Sequence, residues 1–198
     1  MAAAQPEGGP GEPGMMSWRR VLVLGGIRSG KSEFAEALVA DADRVRYVAT
    51  ARRGDGDADW DARIDAHVAR RPANWRTTEI GHAPASLSDV LDAARESEAL
   101  LLDDLGGWVG AVGDVTGRLV ADSPHWPGLM RTTTAAMTRC RARLVLVSPE
   151  VGLSVIPATA AGRDFADALG LLNRAVAAVC DVVVLVIAGN AVPVKGRL

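Results

Sequence analysis

The chain alternates short, nearly continuous apolar runs with longer stretches in which apolar residues recur every three or four positions. The first pattern marks strands buried on both faces, and the second marks helices with one face against a core. Strands are therefore expected at residues 20–25 (RVLVLG), 44–50 (RVRYVAT), 99–104 (ALLLDD), 143–148 (RLVLVS) and 181–189 (DVVVLVIAG). A shorter one is expected at 75–80 (WRTTEI), and 191–195 (AVPVK) reads as a final edge strand, where Pro193 is tolerated. Helices are expected at 32–40, where Phe34, Ala37 and Leu38 have helical spacing, and at 58–70. Further helices are expected from Ser86 or Ser88 to about residue 96, at 127–141 with Pro127 in its first turn, and at 160–179. The glycine-rich stretch after residue 104 reads as irregular.

This alternation predicts an α/β fold of three layers, a mostly parallel sheet with helices on both faces. Ligands of such sheets sit at the carboxyl ends of the strands. That edge should carry Gly25, Thr50, Asp103 and residues 148–150.

A length of 198 residues suits one domain with a sizeable core, expected over residues 17–198. Residues 1–16, rich in Gly and Pro and without an apolar segment, read as a disordered tail rather than a signal peptide, with Met15 or Met16 as alternative starts. A net charge of −2 gives no basic excess to attract nucleic acid or an anionic membrane, so no nucleic-acid partner is expected. The longest apolar run, VVVLVIA at 182–188, is strand-sized and far short of a transmembrane helix. Cys140 and Cys180 lie far apart without metal-type spacing and read as reduced, buried thiols in a cytoplasmic protein.

The candidate chemistry begins with GGIRSGKS at residues 25–32. It fits the phosphate-loop pattern G-x-x-x-x-G-K-[ST] and lies between an expected strand and an expected helix, the context the pattern requires. Gly25, Gly26 and Gly30 let the backbone curl so that the loop's N–H groups, through Ile27, Arg28 and Ser29, face phosphates. Lys31 reaches the β- and γ-phosphates, Ser32 ligates Mg²⁺, and the helix N-terminus adds partial positive charge.

Asp103 ends an apolar strand, where a carboxylate suits the second Mg²⁺ partner of a phosphate-loop protein. Asp104 competes with it, because side chains alternate along a strand and only one of the two can face the loop. The alternative role for such a carboxylate is to cap the following turn. His67 stands in DARIDAHVARRPANWRTTE with Arg63, Arg70 and Arg71 around it. These cations favour a polyphosphate and tend to keep the imidazole neutral; the plainer reading is a solvated surface histidine. Glu150 either contacts a second substrate or pairs with an arginine. The acidic stretch at 54–65 reads as a solvated loop leading into a helix N-terminus.

The chain has no N-K-x-D guanine reader and none of the protein-kinase signatures, which argues against a Ras-like GTPase and a protein kinase. A small-molecule kinase and a non-catalytic nucleotide-dependent regulator stay open on the residues alone.

Taken in order, GGIRSGKS, YVAT, ARIDAHVARRPANWRTTE, LLLDDL and VLVSPEVGLSVIPATAAGRDFADALGLLNRAVAAVCDVVVLVIAG resemble the bifunctional adenosylcobinamide kinase / adenosylcobinamide-phosphate guanylyltransferase family of cobalamin biosynthesis. The resemblance spans about residues 21–195. It implies a RecA-like phosphate-loop core and two reactions. In the first, a nucleoside triphosphate phosphorylates the terminal hydroxyl of the adenosylcobinamide side chain. In the second, GMP passes from GTP to a histidine with release of pyrophosphate, and then to the new phosphate, giving adenosylcobinamide-GDP.

The resemblance also implies Mg²⁺ carried with GTP or ATP, no permanent cofactor, and homo-oligomers, often trimers. It places the guanylylated histidine of R-I-x-x-H on His67. Ala49, Thr50, Ala51, Arg70, Arg71 and Glu79 fall beside the nucleotide by the same comparison. The chain departs from the family pattern at Ile27, where Ala is common, and at Pro149, where Asn is frequent. The stretch DDLGGWVG also carries glycines where Thr or Ser is expected.

Overall fold

A computed structural model describes residues 18–50, 65, 68–69, 71–116, 121 and 123–198. The strands are β1 (Arg20–Gly25), β2 (Val45–Ala49), β3 (Arg76–Glu79), β4 (Ala99–Asp103), β5 (Arg143–Pro149), β6 (Val182–Ile187) and β7 (Asn190–Lys195). They form one sheet in the order β3-β2-β4-β5-β1-β6-β7. β1 to β6 run parallel, and β7 returns antiparallel along β6. The helices are α1 (Lys31–Ala37), α2 (Leu87–Asp92), α3 (Leu105–Thr116), α4 (Trp126–Arg139) and α5 (Ala160–Val179).

The central strands are apolar throughout because helices cover both faces of the sheet. On one face Val21, Val23, Leu101, Val145 and Val147 pack with Ala35 of α1. On the other, Leu22, Leu100, Leu102, Leu144 and Leu146 meet Leu91 of α2, Trp108 of α3, Met137 of α4, and Leu169 and Leu172 of α5. Trp108 and Trp126 lie 5.8 Å apart between α3 and α4, and the Trp108 indole N–H donates to the Pro84 carbonyl at 2.8 Å. The three-layer α/β expectation and the parallel sheet are thus both found, and β7 with Pro193 is an exposed edge.

Three expectations change. The stretch after residue 104 is not irregular but forms α3. Its glycines are poor helix formers, yet close packing requires them. A Cβ on Gly106 would lie 2.9 Å from the Pro149 side chain, and one on Gly107 would lie 2.6 Å from Thr50 Oγ1. The helix expected to run to residue 96 ends at Asp92. Ser86 precedes that helix, but its hydroxyl donates to the Ala83 carbonyl at 2.7 Å instead of accepting a helix N–H. Of the helix expected at 58–70, Asp65, Val68 and Ala69 are described and helical. The remainder, like the tail at 1–16, lies outside the described residues.

One carboxylate ties the start of β1 to the start of β6. Asp181 Oδ2 accepts the backbone N–H groups of Arg19 at 2.8 Å and Arg20 at 2.7 Å, and the Arg20 guanidinium lies 3.4 Å from Oδ1. Burial alone would raise the Asp181 pKa, but the Arg20 and Arg19 N–H groups and the Arg20 charge outweigh it and hold the group below its ordinary 3.8. A lowered carboxylate stabilises the fold above its unfolded pKa and loses that contribution as pH falls through the folded value. Asp181→Asn is therefore expected to destabilise the protein by about 1 kcal/mol at pH 7, allowing for solvent screening of this half-exposed group. Chemical denaturation across pH should show the wild type and variant converging as pH falls below about 4.

Candidate functional site

The register of the sheet assembles the site. Ala49 pairs with Asp103 on one side and Glu79 on the other, while Gly25 pairs with Pro149 and Val186. The carboxyl rim therefore runs Glu79, Ala49 and Thr50, Asp103, residues 148–150, Gly25. This is the edge expected from the strand pattern. Glu79 occupies its outer end, exposed on the edge strand β3.

The phosphate loop leaves β1 and opens α1. Gly25 is forced by space, since a Cβ there would collide with the Ser29 hydroxyl and lie 2.9 Å from the Val186 carbonyl. Gly30 is forced by conformation, with φ of 91° immediately before the helix. Arg28 also adopts a left-handed φ, 57°, and together with Gly26 and Ile27 it is exposed at the crest of the loop. The Gly189 N–H in the β6–β7 turn donates to the Ser29 carbonyl at 2.8 Å and braces the loop from the side. The buried Ser29 hydroxyl has no hydrogen-bond partner among the described residues. Lys31 Nζ donates to the Gly26 carbonyl at 3.3 Å, so the amine lies folded along its own loop. The helix N-terminus and this amine together suit a polyphosphate anion.

Beside the loop, Ser32 Oγ lies 3.4 Å from Asp103 Oδ1. A hydroxyl and a carboxylate are hard oxygen donors, the kind Mg²⁺ selects. Asp103 Oδ2 accepts the Tyr47 hydroxyl at 2.6 Å. Burial, then the Asp103 charge, push the Tyr47 pKa upward, so the phenol stays protonated and donates.

The two adjacent aspartates have separate tasks. Asp103 turns toward Ser32, whereas Asp104 Oδ1 accepts the Gly107 N–H at 2.6 Å and caps the first turn of α3. Burial raises the Asp104 pKa to about 6, with the Asp103 charge adding to it and the Gly107 N–H and Lys31 opposing it. Thr50 fixes the strand end between them: its hydroxyl donates to the Asp104 carbonyl at 2.8 Å and accepts the Asp104 N–H at 3.0 Å.

On the other half of the rim, the buried Ser148 hydroxyl donates to Asn173 Oδ1 at 2.6 Å, and Asn173 Nδ2 donates to the Pro149 carbonyl at 3.0 Å. This pair holds α5 against the end of β5. Glu150 accepts the Gly152 N–H at 2.7 Å, and no arginine among the described residues pairs with it. It opens onto a groove of about 820 Å³ lined by Leu24, Gly152, Asn173, Arg174 and Lys195.

Arg71 is docked on the α1 face of the sheet. Its guanidinium lies 3.4 Å above the Tyr47 ring, one terminal nitrogen donates to Thr77 Oγ1 at 3.3 Å, and its buried Nε has no hydrogen-bond partner among the described residues. His67, Arg63, Arg70 and Ala51 lie outside the described residues. The structure thus brings Gly25 through Ser32, Ala49, Thr50 and Asp103 to one rim, with Arg71 against the Tyr47 ring.

Sequence reasoning gave no role to Tyr47 or Asn173; it did weigh a turn-capping aspartate at this strand end, and the capping residue is Asp104. Alternation puts Tyr47 on the same face of β2 as Ala49, but only the pairing of β2 with β4 shows that this face carries Asp103.

Comparison with known proteins agrees with this architecture. The chain is similar in fold to a prototypical ATPase from the type III secretion system of pathogenic bacteria, with a TM-score of 0.53 and 13% identity over 84% of this chain and 50% of that one. It also resembles a Pyrococcus horikoshii protein, with a TM-score of 0.51 and 8% identity over 91% of this chain and 87% of that one. Among curated relatives, the bifunctional adenosylcobalamin biosynthesis protein CobP of Pseudomonas aeruginosa is 39% identical over 90% of this chain and 98% of its own length. The CobU proteins of Salmonella typhimurium and Escherichia coli are 36% and 34% identical, each over 88% of this chain and 99% of their own. The model of one family matches residues 21–194, nearly all of the sheet and its helices. The chain belongs to the cobinamide kinase / cobinamide phosphate guanyltransferase family.

Proposed function

We propose that this protein phosphorylates adenosylcobinamide and then transfers GMP from GTP to the resulting phosphate, using one phosphate cradle for both reactions. The observation that carries the reading is the junction of β1 and α1. There a phosphate loop, the Lys31 amine and the Ser32–Asp103 pair converge on one rim of the sheet. Family membership supplies the substrates, and relatives at 34–39% identity carry the name bifunctional.

In the kinase step, the loop N–H groups and Lys31 hold the triphosphate and stabilise charge on the transferring γ-phosphoryl group. Mg²⁺ entering with the nucleotide would be held by Ser32 and Asp103, where it neutralises charge on the phosphate oxygens. Lys31 leaves the Gly26 carbonyl to reach the phosphates, and Arg28, exposed on the loop crest, adds a second cation.

In the guanylyl step we assign the nucleophile to His67. A neutral imidazole nitrogen forms a bond to the α-phosphorus of GTP while the α–β phosphoanhydride bond breaks, and pyrophosphate leaves into the same cradle. The phosphate of the corrinoid then attacks that phosphorus, the N–P bond breaks, and the imidazole is regenerated. Splitting one transfer into two is the benefit of covalent catalysis. Arg70 and Arg71 supply positive charge to the phosphates, and Ala49, Thr50, Ala51 and Glu79 form the nucleotide's flank along the rim. The described residues contain no helix long and apolar enough to cross a membrane. A cytoplasmic homo-oligomer is the form we expect.

Separate assays of the two half-reactions test the reading. Lys31→Ala should lower both rates by about 10²- to 10³-fold, because both depend on the same charge stabilisation. His67→Ala should lower guanylyl transfer by about 10³-fold or more and leave phosphorylation of adenosylcobinamide near the wild-type rate. A protein that phosphorylates but never transfers GMP is a small-molecule kinase. A protein that binds nucleotide and does neither is a regulator.

A further inference from the structure

The rim holds one side chain that neither the phosphate-loop pattern nor the family resemblance assigns. Tyr47 is buried in the middle of β2 and would ordinarily read as core, since it packs with Val23, Ala35 and Leu101 beneath α1. Its position relative to β4 gives it another task. Tyr47 pairs with Leu101, and Asp103 is the next residue of β4 on the same face of the sheet. A tyrosine is long enough to span that diagonal. The hydroxyl arrives at Asp103 Oδ2 at 2.6 Å, leaving Oδ1 as the oxygen that faces Ser32 at 3.4 Å. A short O–H···O⁻ bond of this kind is among the stronger ones available to a protein. The upper face of the same ring carries the Arg71 guanidinium at 3.4 Å.

We propose that Tyr47 is the positioning residue of the divalent-cation corner: its hydroxyl holds the Asp103 carboxylate turned toward Ser32, and its ring docks Arg71 beside that corner. The proposal rests on the reading of Ser32 and Asp103 as the cation's protein partners. Partners of this kind, which touch a ligand rather than the metal, fix the ligand's orientation, and losing one weakens metal affinity by about 10- to 100-fold. The ring also gives Arg71 a fixed place. Its guanidinium lies over the ring, and its Nε has no hydrogen-bond partner among the described residues. Arg71 is thereby anchored to the strand that orients Asp103.

The test measures binding of a non-hydrolysable GTP analogue by calorimetry, once with Mn²⁺ and once with EDTA. The ratio of the two affinities is the gain due to the metal. Tyr47→Phe keeps the ring and removes only the hydroxyl. It should leave the EDTA affinity and the thermal midpoint near wild type while shrinking the metal gain about 10-fold. Asp103→Asn should shrink the gain at least as much, and adding Tyr47→Phe to it should change nothing further, because the hydroxyl acts only through that carboxylate.

A Tyr47→Phe protein with an undiminished metal gain overturns the proposal and leaves the metal reading standing, provided Asp103→Asn has lowered it. A Tyr47→Phe effect of equal size in both backgrounds also overturns the proposal, since the hydroxyl would then act independently of Asp103. An Asp103→Asn protein with an undiminished gain overturns the metal corner itself, and the role of Tyr47 with it.

Discussion

Helices on both faces of a parallel sheet leave its central strands no solvated side, and this constraint governs where chemistry can be placed. A polar side chain in the middle of β1, β4 or β5 would have to be buried and satisfied at a cost of several kcal/mol. These strands are accordingly Val and Leu through their centres. Short polar side chains can emerge only where strands end, with the long Tyr47 side chain reaching Asp103 from the middle of β2. The common direction of six strands puts all those ends on one rim. Gly25, Thr50, Asp103 and Ser148 are each the last or next-to-last position before the chain turns, or the first after it. The loop then gains an anion site at the N-terminus of α1 without any further side chain.

The same constraint explains why so much was legible in the sequence. A strand buried on both faces is a continuous apolar run, so β1 and α5 fall where the pattern puts them, residue for residue. The phosphate loop was readable because Gly25, Gly30 and Lys31 are required by space, backbone conformation and charge at fixed spacing, whereas nothing crowds Gly26. What the pattern could not show was tertiary. The helix α3 was hidden because its glycines are needed by neighbours, Pro149 and Thr50, that only folding brings near. Pro149 is one of those neighbours, and its ring lies where a Cβ on Gly106 would fall. The choice between Asp103 and Asp104 depended on strand register. Tyr47 was hidden because an aromatic in a buried strand resembles any other core residue until its hydroxyl is located.

Asp103 and Asp104 illustrate how environment divides identical side chains. Asp103 lies on the α1 face, between a hydroxyl of the loop helix and the phenol of β2. Asp104 starts α3, where its carboxylate caps a backbone N–H, and Thr50 clamps its backbone. One carboxylate faces the loop helix and the other the chain's own backbone. Thr50 and Tyr47 together fix the end of β4 from the neighbouring strand, so the carboxylate rim is a rigid element rather than a loop. Rigidity matters to the proposed mechanism, in which one cradle serves displacements at two different phosphorus atoms.

That double use is the centre of the account, and it stands or falls on a covalent intermediate at His67. The direct measurement is to incubate the protein with GTP labelled at the α-phosphorus, quench, and locate the label by peptide mass spectrometry. The account predicts a GMP adduct on His67 that is labile in acid and stable in base, and that is discharged when the phosphorylated corrinoid is added. Absence of an adduct, or an adduct that persists in His67→Ala, would contradict it.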